Sequence, residues 1–133
     1  MRLVWIDARE VSILHDRLPA LHGGRPGVRD AGLLESELAR PRQHAAYSEA
    51  PDIVELASLY TAAIVRNRPF VDGNKRTGFV LGVLFLEMNG HRFDARQEDA
   101  ANAVLALAEG RLDGRGYHAF MKANSARPRQ PRP

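Results

Sequence analysis

A stretch of apolar residues in the middle of the chain sets the strongest condition on the fold. Residues 74–89 contain no proline, and a glycine follows at position 90, where helices commonly end. The large apolar side chains of this stretch are Phe79, Val80, Leu81, Val83, Leu84, Phe85, Leu86 and Met88. A helix that is apolar on nearly every side has to be covered by other elements. The stretch therefore predicts a central core helix surrounded by further helices.

Three segments before this stretch carry the start signals of helices. Asp7, with Glu10 three residues later, is typical of a capping box, and Asp30 and Asp52 are suitable caps for a second and a third helix. We predict that the second helix stops before Pro41, because a proline inside a helix removes a backbone hydrogen bond.

The remaining segments add short elements. Helical spacing predicts two more helices near residues 97–109 and 116–124, while residues 2–6 and 91–93 are typical of short edge strands. The prediction is an all-α, single compact domain of about six helices, with at most short edge strands.

The positive charge of the chain is concentrated at its C-terminal end. The 133 residues have a net charge of +3, but residues 126–133 hold three arginines and no acid, so residues 1–125 are neutral overall. We assign residues 1–125 to one domain and residues 126–133 to a disordered basic tail. A neutral domain gives no electrostatic reason to expect direct nucleic-acid binding.

Targeting and membrane signals are not evident in the sequence. The first ten residues include several charges and lack the apolar core of a signal peptide, and the apolar stretch is shorter than the roughly 20 residues of a membrane span. The chain contains no cysteine, which is compatible with a reducing compartment. We expect a cytoplasmic protein without a membrane partner.

The loop that leads into the apolar stretch is the predicted site of chemistry; residues 67–77 read NRPFVDGNKRT. First-turn amides of a helix lack acceptors and attract anions, and Gly73 lets a phosphate approach the backbone. Lys75 and Arg76 add positive charge, and Asp72 offers the hard oxygen ligands that Mg²⁺ prefers. This combination suits the binding of a nucleotide and its metal ion.

The same residues carry a resemblance to a known family. PFVDGNKRT resembles the Fic/Doc signature His-x-Phe-x-Asp/Glu-Gly-Asn-x-Arg. The resemblance to the Doc (death-on-curing) branch extends over nearly the whole chain, through LHDRL, GGRPGVRDAGLLESELARP and FLEMNGHRFD. It implies a Fic fold and a toxin of a toxin–antitoxin pair. The best-known Doc proteins transfer phosphate from ATP to a threonine of elongation factor Tu and so stop translation.

Cofactors and partners follow from the resemblance in the same way. It implies ATP and Mg²⁺ as cofactors and elongation factor Tu as the protein substrate. The sequence shows no Ser/Thr-x-x-x-Glu-Gly/Asn segment, the built-in inhibitory helix of many Fic proteins. This implies inhibition by a separate antitoxin, whose disordered segment folds onto the toxin.

By position, the resemblance also assigns a role to each motif residue. Phe70 would anchor the loop in the core, and Asp72 would hold the metal ion. The residues that would bind phosphates are Gly73, Asn74, Lys75 and Arg76. The catalytic set would be Asp72, Lys75 and the residue at the histidine position, which is Arg68.

Arg68 is the departure from the family pattern. The family's histidine is the general base that takes the proton from the target hydroxyl, and an arginine side chain stays protonated and cannot do this. Loss of a positioned base typically lowers the rate by about 10²–10⁴-fold. We therefore expect this chain to bind nucleotide and partners but to be inactive. The histidines elsewhere in the sequence are expected to be structural or exposed.

Two alternatives stay open. The AMP-transferring branch has a second glycine where Lys75 stands and a second arginine where Phe79 stands, which favours phosphate transfer here. Gly73 points the other way, because the best-known Doc sequence has alanine there. A degenerate Fic domain that only binds a partner is the second alternative.

Overall fold

The computed structural model describes residues 2–18 and 25–127. Six helices and two short strands follow one another along this part of the chain. They are α1 (Ala8–Arg17), α2 (Ala31–Ala46), α3 (Ile53–Asn67), α4 (Asn74–Met88), β1 (Arg92–Phe93), α5 (Gln97–Ala108), α6 (Gly114–Ala123) and β2 (Ser125–Ala126). The predicted all-α class with about six helices is confirmed. No helix in the described ranges is long and apolar enough to cross a membrane.

The predicted helix starts are confirmed by their caps. Asp7 and Glu10 form a capping box, in which each side chain accepts a hydrogen bond from the backbone N–H of the other residue. The Asp30 carboxylate accepts from the Leu33 N–H at the start of α2, and Asp52 does the same for the first turn of α3. These bonds satisfy amides that have no acceptor within the helix and so determine where each helix begins.

α3 is the most enclosed helix of the fold. It packs against α2, α4, α5 and α6, and nine of its 15 residues are buried. The sequence predicted α4 in this central position, which is wrong. α4 packs against α1, α3, α5 and β1, but Leu84 and Met88 on its outer side are 36% and 41% exposed.

Two glycines of α4 allow α3 and α4 to lie very close together. A Cβ atom on Gly78 would lie 2.7 Å from Cγ2 of Val65. A Cβ atom on Gly82 would overlap the Thr61 hydroxyl and lie 3.1 Å from the carbonyl oxygen of Ala57. The Thr61 hydroxyl donates a 2.8 Å hydrogen bond to the Gly78 carbonyl. Close backbone contact therefore sets the distance between the two helices, and with it the distance that the connecting loop has to span.

We expect Gly82→Ala to destabilise the protein by about 1–3 kcal/mol, although alanine favours helices, because its methyl group has no space beside Thr61. Gly114→Ala is the matched control: a Cβ atom at this position of α6 meets nothing within 4 Å, and the variant should be neutral or slightly stabilised. Urea unfolding measures both variants. Equal stabilities would contradict the close approach of α3 and α4.

α2 continues through Pro41, so the predicted end before this proline is wrong. Leu34, Leu38, Pro41 and Ala45 recur at helical spacing and are all buried, and α2 packs against α3. Burial of this stripe outweighs the one backbone hydrogen bond that the proline removes.

The predicted strand near the N-terminus does not form; residues 2–7 have no regular structure. The Asn89 side-chain amide binds Val4 instead, accepting from its N–H at 2.7 Å and donating to its carbonyl at 3.0 Å. Near the C-terminus, β1 and β2 pair antiparallel. Ala126, which we assigned to the tail, lies in β2, and residues 128–133 of that tail are outside the described residues.

Candidate functional site

The motif loop, residues 68–73, connects α3 to α4. Arg68 ends α3 in the left-handed conformation, with φ 50° and ψ 56°, and its N–H still donates to the Ile64 carbonyl at 3.0 Å. It is the one non-glycine residue with positive φ in the described ranges. This conformation costs a residue with a Cβ atom roughly 1–2 kcal/mol, so the contacts around the loop must hold it in place.

Arg29, from the segment before α2, holds the end of α3. Its Nη2 and Nε donate to the carbonyl oxygens of Asn67 and Arg68, at 3.0 and 2.8 Å. The backbone N–H groups of Arg29 and Asp30 both donate to the Pro69 carbonyl, at 2.7 and 3.1 Å. A cation at the C-terminus of a helix also complements the helix dipole. The turn at Arg68 is therefore held by residues that are distant in sequence.

Phe70 is held through both its ring and its backbone. The side chain is only 1% exposed, and the ring stacks on the His15 ring with 4.0 Å between centroids. The Asn74 side-chain amide pairs with the Phe70 backbone, accepting from its N–H and donating to its carbonyl, both at 3.0 Å. The centre of the motif loop is thus fixed in the core.

Asn74 is buried and both polar atoms of its side chain bind Phe70. The sequence predicts a part for Asn74 in phosphate binding. In the structure Asn74 lines the cleft, and its side-chain oxygen and one of its two side-chain N–H groups bind the Phe70 backbone. The N-cap residue of α4 is Gly73, and Asn74 is the first residue of the helix. The Asn74 side chain therefore holds the backbone of the motif loop at Phe70.

The N-terminus of α4 has no side-chain cap. Gly73, at φ 77°, offers no oxygen to the first-turn amides. The Arg76 guanidinium lies over this glycine, since a Cβ atom at position 73 would be 2.8 Å from its Nη2. Arg76 Nε is buried and has no hydrogen-bond partner within the described residues. Uncapped amides, the helix dipole and a neighbouring cation together favour a bound anion.

Asp72 presents an exposed carboxylate beside these amides. Its Oδ1 accepts from the Gly73 N–H at 2.7 Å. This bond is the main reason that the pKa of the carboxyl lies below its ordinary value, and a bond from the Arg25 N–H and the charge of Arg76 act in the same direction. The group is therefore ionised at neutral pH, as a ligand of a hard cation must be.

A cleft of about 580 Å³ lies between the motif loop, the N-terminus of α4 and the C-terminal end of α5. The structure brings six predicted residues together along its wall: Arg68, Asp72, Gly73, Asn74, Lys75 and Arg76. Leu105, Ala108 and Glu109 of α5 and its C-cap form the opposite side. Phe70 lies behind the wall and does not line the cleft.

An apolar groove of about 640 Å³ adjoins the cleft and shares Lys75, Arg76 and Leu105 with it. Phe79 of α4, Phe93 of β1 and Val104 of α5 line its length. The charged cleft and the apolar groove are therefore direct neighbours.

Three residues of the site were missed by sequence reasoning: His15, Arg29 and Glu109. Glu109 is a second carboxylate in the cleft and forms an ion pair with Arg111 at 3.0 Å. His15 and Arg29 hold the motif loop from behind. The signal that could have found these two is the family resemblance itself, because LHDRL and GGRPGVRD contain them.

No histidine of the described ranges lines the cleft. His44 is hydrogen-bonded to Glu55, and His118 lies 3.2 Å from the Asp52 carboxylate, both away from the cleft. In the described part of the chain, no cluster of three or more His, Asp or Glu side chains could form a metal site of its own. Asp72 fits Mg²⁺ by itself, since this ion takes one or two carboxylates and shares the rest of its shell with phosphates and water.

Comparison with known proteins gives a consistent match. The model of the Fic/DOC family matches residues 5–86, a range that includes the motif loop. The chain is 34% identical over 108 residues to "Protein kinase doc" of Escherichia phage P1, covering 80% of this chain and 84% of that protein. It is 38% identical over 88 residues to "Toxin Doc" of Mycolicibacterium smegmatis, covering 62% of this chain and 68% of that protein.

Proposed function

The chain belongs to the Fic/Doc family, and from this membership we propose that it is a Doc-type toxin whose cleft binds ATP and Mg²⁺. The observation that carries the proposal is the uncapped N-terminus of α4. Its amides, together with Lys75 and Arg76, offer donors and positive charge to an anion in the cleft. A chain of phosphates is the ligand that this arrangement suits best.

Asp72 is proposed to hold the Mg²⁺ ion, which would neutralise charge on the phosphates during transfer. Lys75 and Arg76 are proposed to bind the phosphates beside it. The adjoining apolar groove, lined by Phe79 and Phe93, offers the kind of surface on which a nucleoside base can lie.

The proposed reaction is transfer of the γ-phosphate of ATP to a threonine hydroxyl of elongation factor Tu. The hydroxyl oxygen bonds to the γ-phosphorus, the bond to the ADP oxygen breaks, and the hydroxyl proton must pass to a base. Arg68 cannot accept this proton, so the chain is proposed to be inactive. Lys75 supports phosphate transfer over AMP transfer, and so does the phage relative, which is named a protein kinase.

Titration calorimetry with ATP in the presence and absence of Mg²⁺ tests the ligand directly. We expect Asp72→Asn to weaken Mg²⁺-dependent ATP binding by at least about tenfold, which corresponds to about 1.4 kcal/mol, because the amide is a poor ligand for a hard cation. Asp99→Asn, which removes an exposed acid of α5 away from the cleft, should leave the affinity unchanged. Equal affinities of the two variants would contradict the role of Asp72.

An antitoxin encoded by a neighbouring reading frame is the proposed partner. Co-expression of that protein with a tagged form of this chain should yield a stable complex. Arg68 also favours a second candidate, a degenerate Fic domain that only binds partners. This candidate predicts that the complex forms while the Arg68→His variant remains inactive.

A further inference from the structure

We infer that His15 of α1 is a positioning residue of the cleft: through the peptide that joins Asp72 to Gly73, it fixes the direction of the Asp72 carboxylate. This inference rests on the proposed function, in which Asp72 holds the metal ion. Its structural basis is independent of any ligand.

His15 is placed behind the motif loop by the packing of α1. Val11 and His15, one helical turn apart, are the two buried residues of this helix, at 0% and 6% exposure. The imidazole lies parallel to the Phe70 ring, with an angle of 3° between the two planes. The ring therefore has a fixed orientation before any hydrogen bond is considered.

The imidazole makes one hydrogen bond, which ends on the backbone of the motif loop. His15 Nε2 lies 2.6 Å from the Asp72 carbonyl oxygen. Because a carbonyl oxygen can only accept, Nε2 carries the proton and donates. Nδ1 is buried, lies 3.7 Å from Asp16 Oδ1 and makes no hydrogen bond within the described residues. Within the described residues, the loop is thus the single hydrogen-bonding target of this buried side chain.

The planarity of the peptide carries the effect to the carboxylate. In a trans peptide the C=O and the following N–H point in opposite directions within one plane. A donor that holds the Asp72 carbonyl therefore also sets the direction of the Gly73 N–H. That N–H donates to Asp72 Oδ1 at 2.7 Å. His15, bonded to the C=O at one edge of this peptide, thereby determines where the carboxylate lies at the opposite edge, beside the N–H.

Gly73 shows how closely this peptide is enclosed. A Cβ atom on Gly73 would lie 3.4 Å from His15 Nε2 and 2.8 Å from Arg76 Nη2. The imidazole and the guanidinium thus both lie close to the position that a side chain of this residue would occupy. If His15 served only to pack against the core, its ring would be enough and no hydrogen-bond donor would be needed at this position. The hydrogen bond to Asp72 is therefore the feature that indicates a positioning role.

Three variants in the full chain separate these roles. His15→Phe keeps a ring to stack on Phe70 and removes the donor, whereas His15→Gln keeps a donor and removes the ring. Val11→Ala weakens the packing of α1 one turn away without touching the loop. Two readouts are compared for each variant: the exchange rate of the Gly73 amide proton by NMR, and the affinity for ATP with and without Mg²⁺ by calorimetry.

We expect His15→Phe to speed exchange of the Gly73 amide by at least about tenfold, because its acceptor is no longer held in place. Mg²⁺-dependent ATP affinity should fall by about 10–100-fold, as it does for other residues that orient a metal ligand. His15→Gln should retain most of both properties, and Val11→Ala should change neither more than a few-fold.

Unchanged Gly73 exchange in His15→Phe would overturn the inference. So would equal losses in His15→Phe and Val11→Ala, or the absence of any rescue by His15→Gln. If the unaltered chain fails to bind ATP, the proposed function is wrong, and Gly73 exchange still decides whether His15 controls the carboxylate. Faster exchange of the Gly73 amide in His15→Phe with unchanged ATP affinity would show that the orientation of Asp72 does not matter for the ligand. This result would also overturn the inference.

Discussion

Arg68→His is expected to transfer phosphate to elongation factor Tu about 10²–10⁴-fold faster than the chain with Arg68, because it restores a general base at the edge of the cleft. The backbone conformation at residue 68 should be compatible with histidine. Residue 68 is in the left-handed conformation, in which histidine is more frequent than most residues. Mass spectrometry of the target after incubation with ATP measures the rate and distinguishes an added phosphate from an added AMP.

Arg68→Asn is the control for this experiment. Asparagine also tolerates the left-handed conformation, but it cannot take up a proton, so this variant should be folded and inactive. Expression without an antitoxin should arrest growth for Arg68→His and leave it unchanged for Arg68→Asn. If both variants are inactive although ATP binds, the chain is a binding module and the proposed reaction is wrong.

Phe70→Ala is expected to destabilise the protein by about 3–5 kcal/mol, a large part of the roughly 5–15 kcal/mol that holds a typical domain folded. The ring is almost completely buried and stacks on His15, so its removal leaves a cavity between α1 and the motif loop. Urea unfolding measures the loss.

Val71→Ala is the matched control for Phe70→Ala, since the neighbouring side chain is 42% exposed. We expect a change within about 0.5 kcal/mol, as for most surface substitutions. Comparable losses in the two variants would show that Phe70 does not anchor the loop.

The parts of the fold that depend on neighbouring residues could be predicted from the sequence. Asp7, Asp30 and Asp52 bind amides two or three residues ahead of them, so a short pattern contains all the information needed to locate these helix starts. The same holds for the junction at Gly73, where the end of the motif loop and the first turn of α4 are adjacent in sequence. Pro41 shows the limit, because burial against α3 decides the length of α2 and a local pattern cannot show it.

The contacts that hold the motif loop could not be predicted in this way. His15 binds a carbonyl 57 residues away, and Arg29 binds one 39 residues away. Neither residue has a local signal for this role, since a histidine or an arginine in a helix or loop is compatible with many positions. The contact between Asn74 and Phe70 could not be predicted for a related reason: the side chain turns back to Phe70, and an asparagine at a helix start gives no sign of this.

The close pairing of α3 and α4 has a consequence for the order of folding. The two helices are joined by only the six residues of the motif loop, so little chain entropy is lost when they meet, and their contacts are local in sequence. We expect this hairpin to form early and to be present in the transition state for folding. Substitutions at Gly78 or Gly82 should then slow folding more than they speed unfolding. The cleft would take shape in the same step, since its main wall is the connection between these two helices.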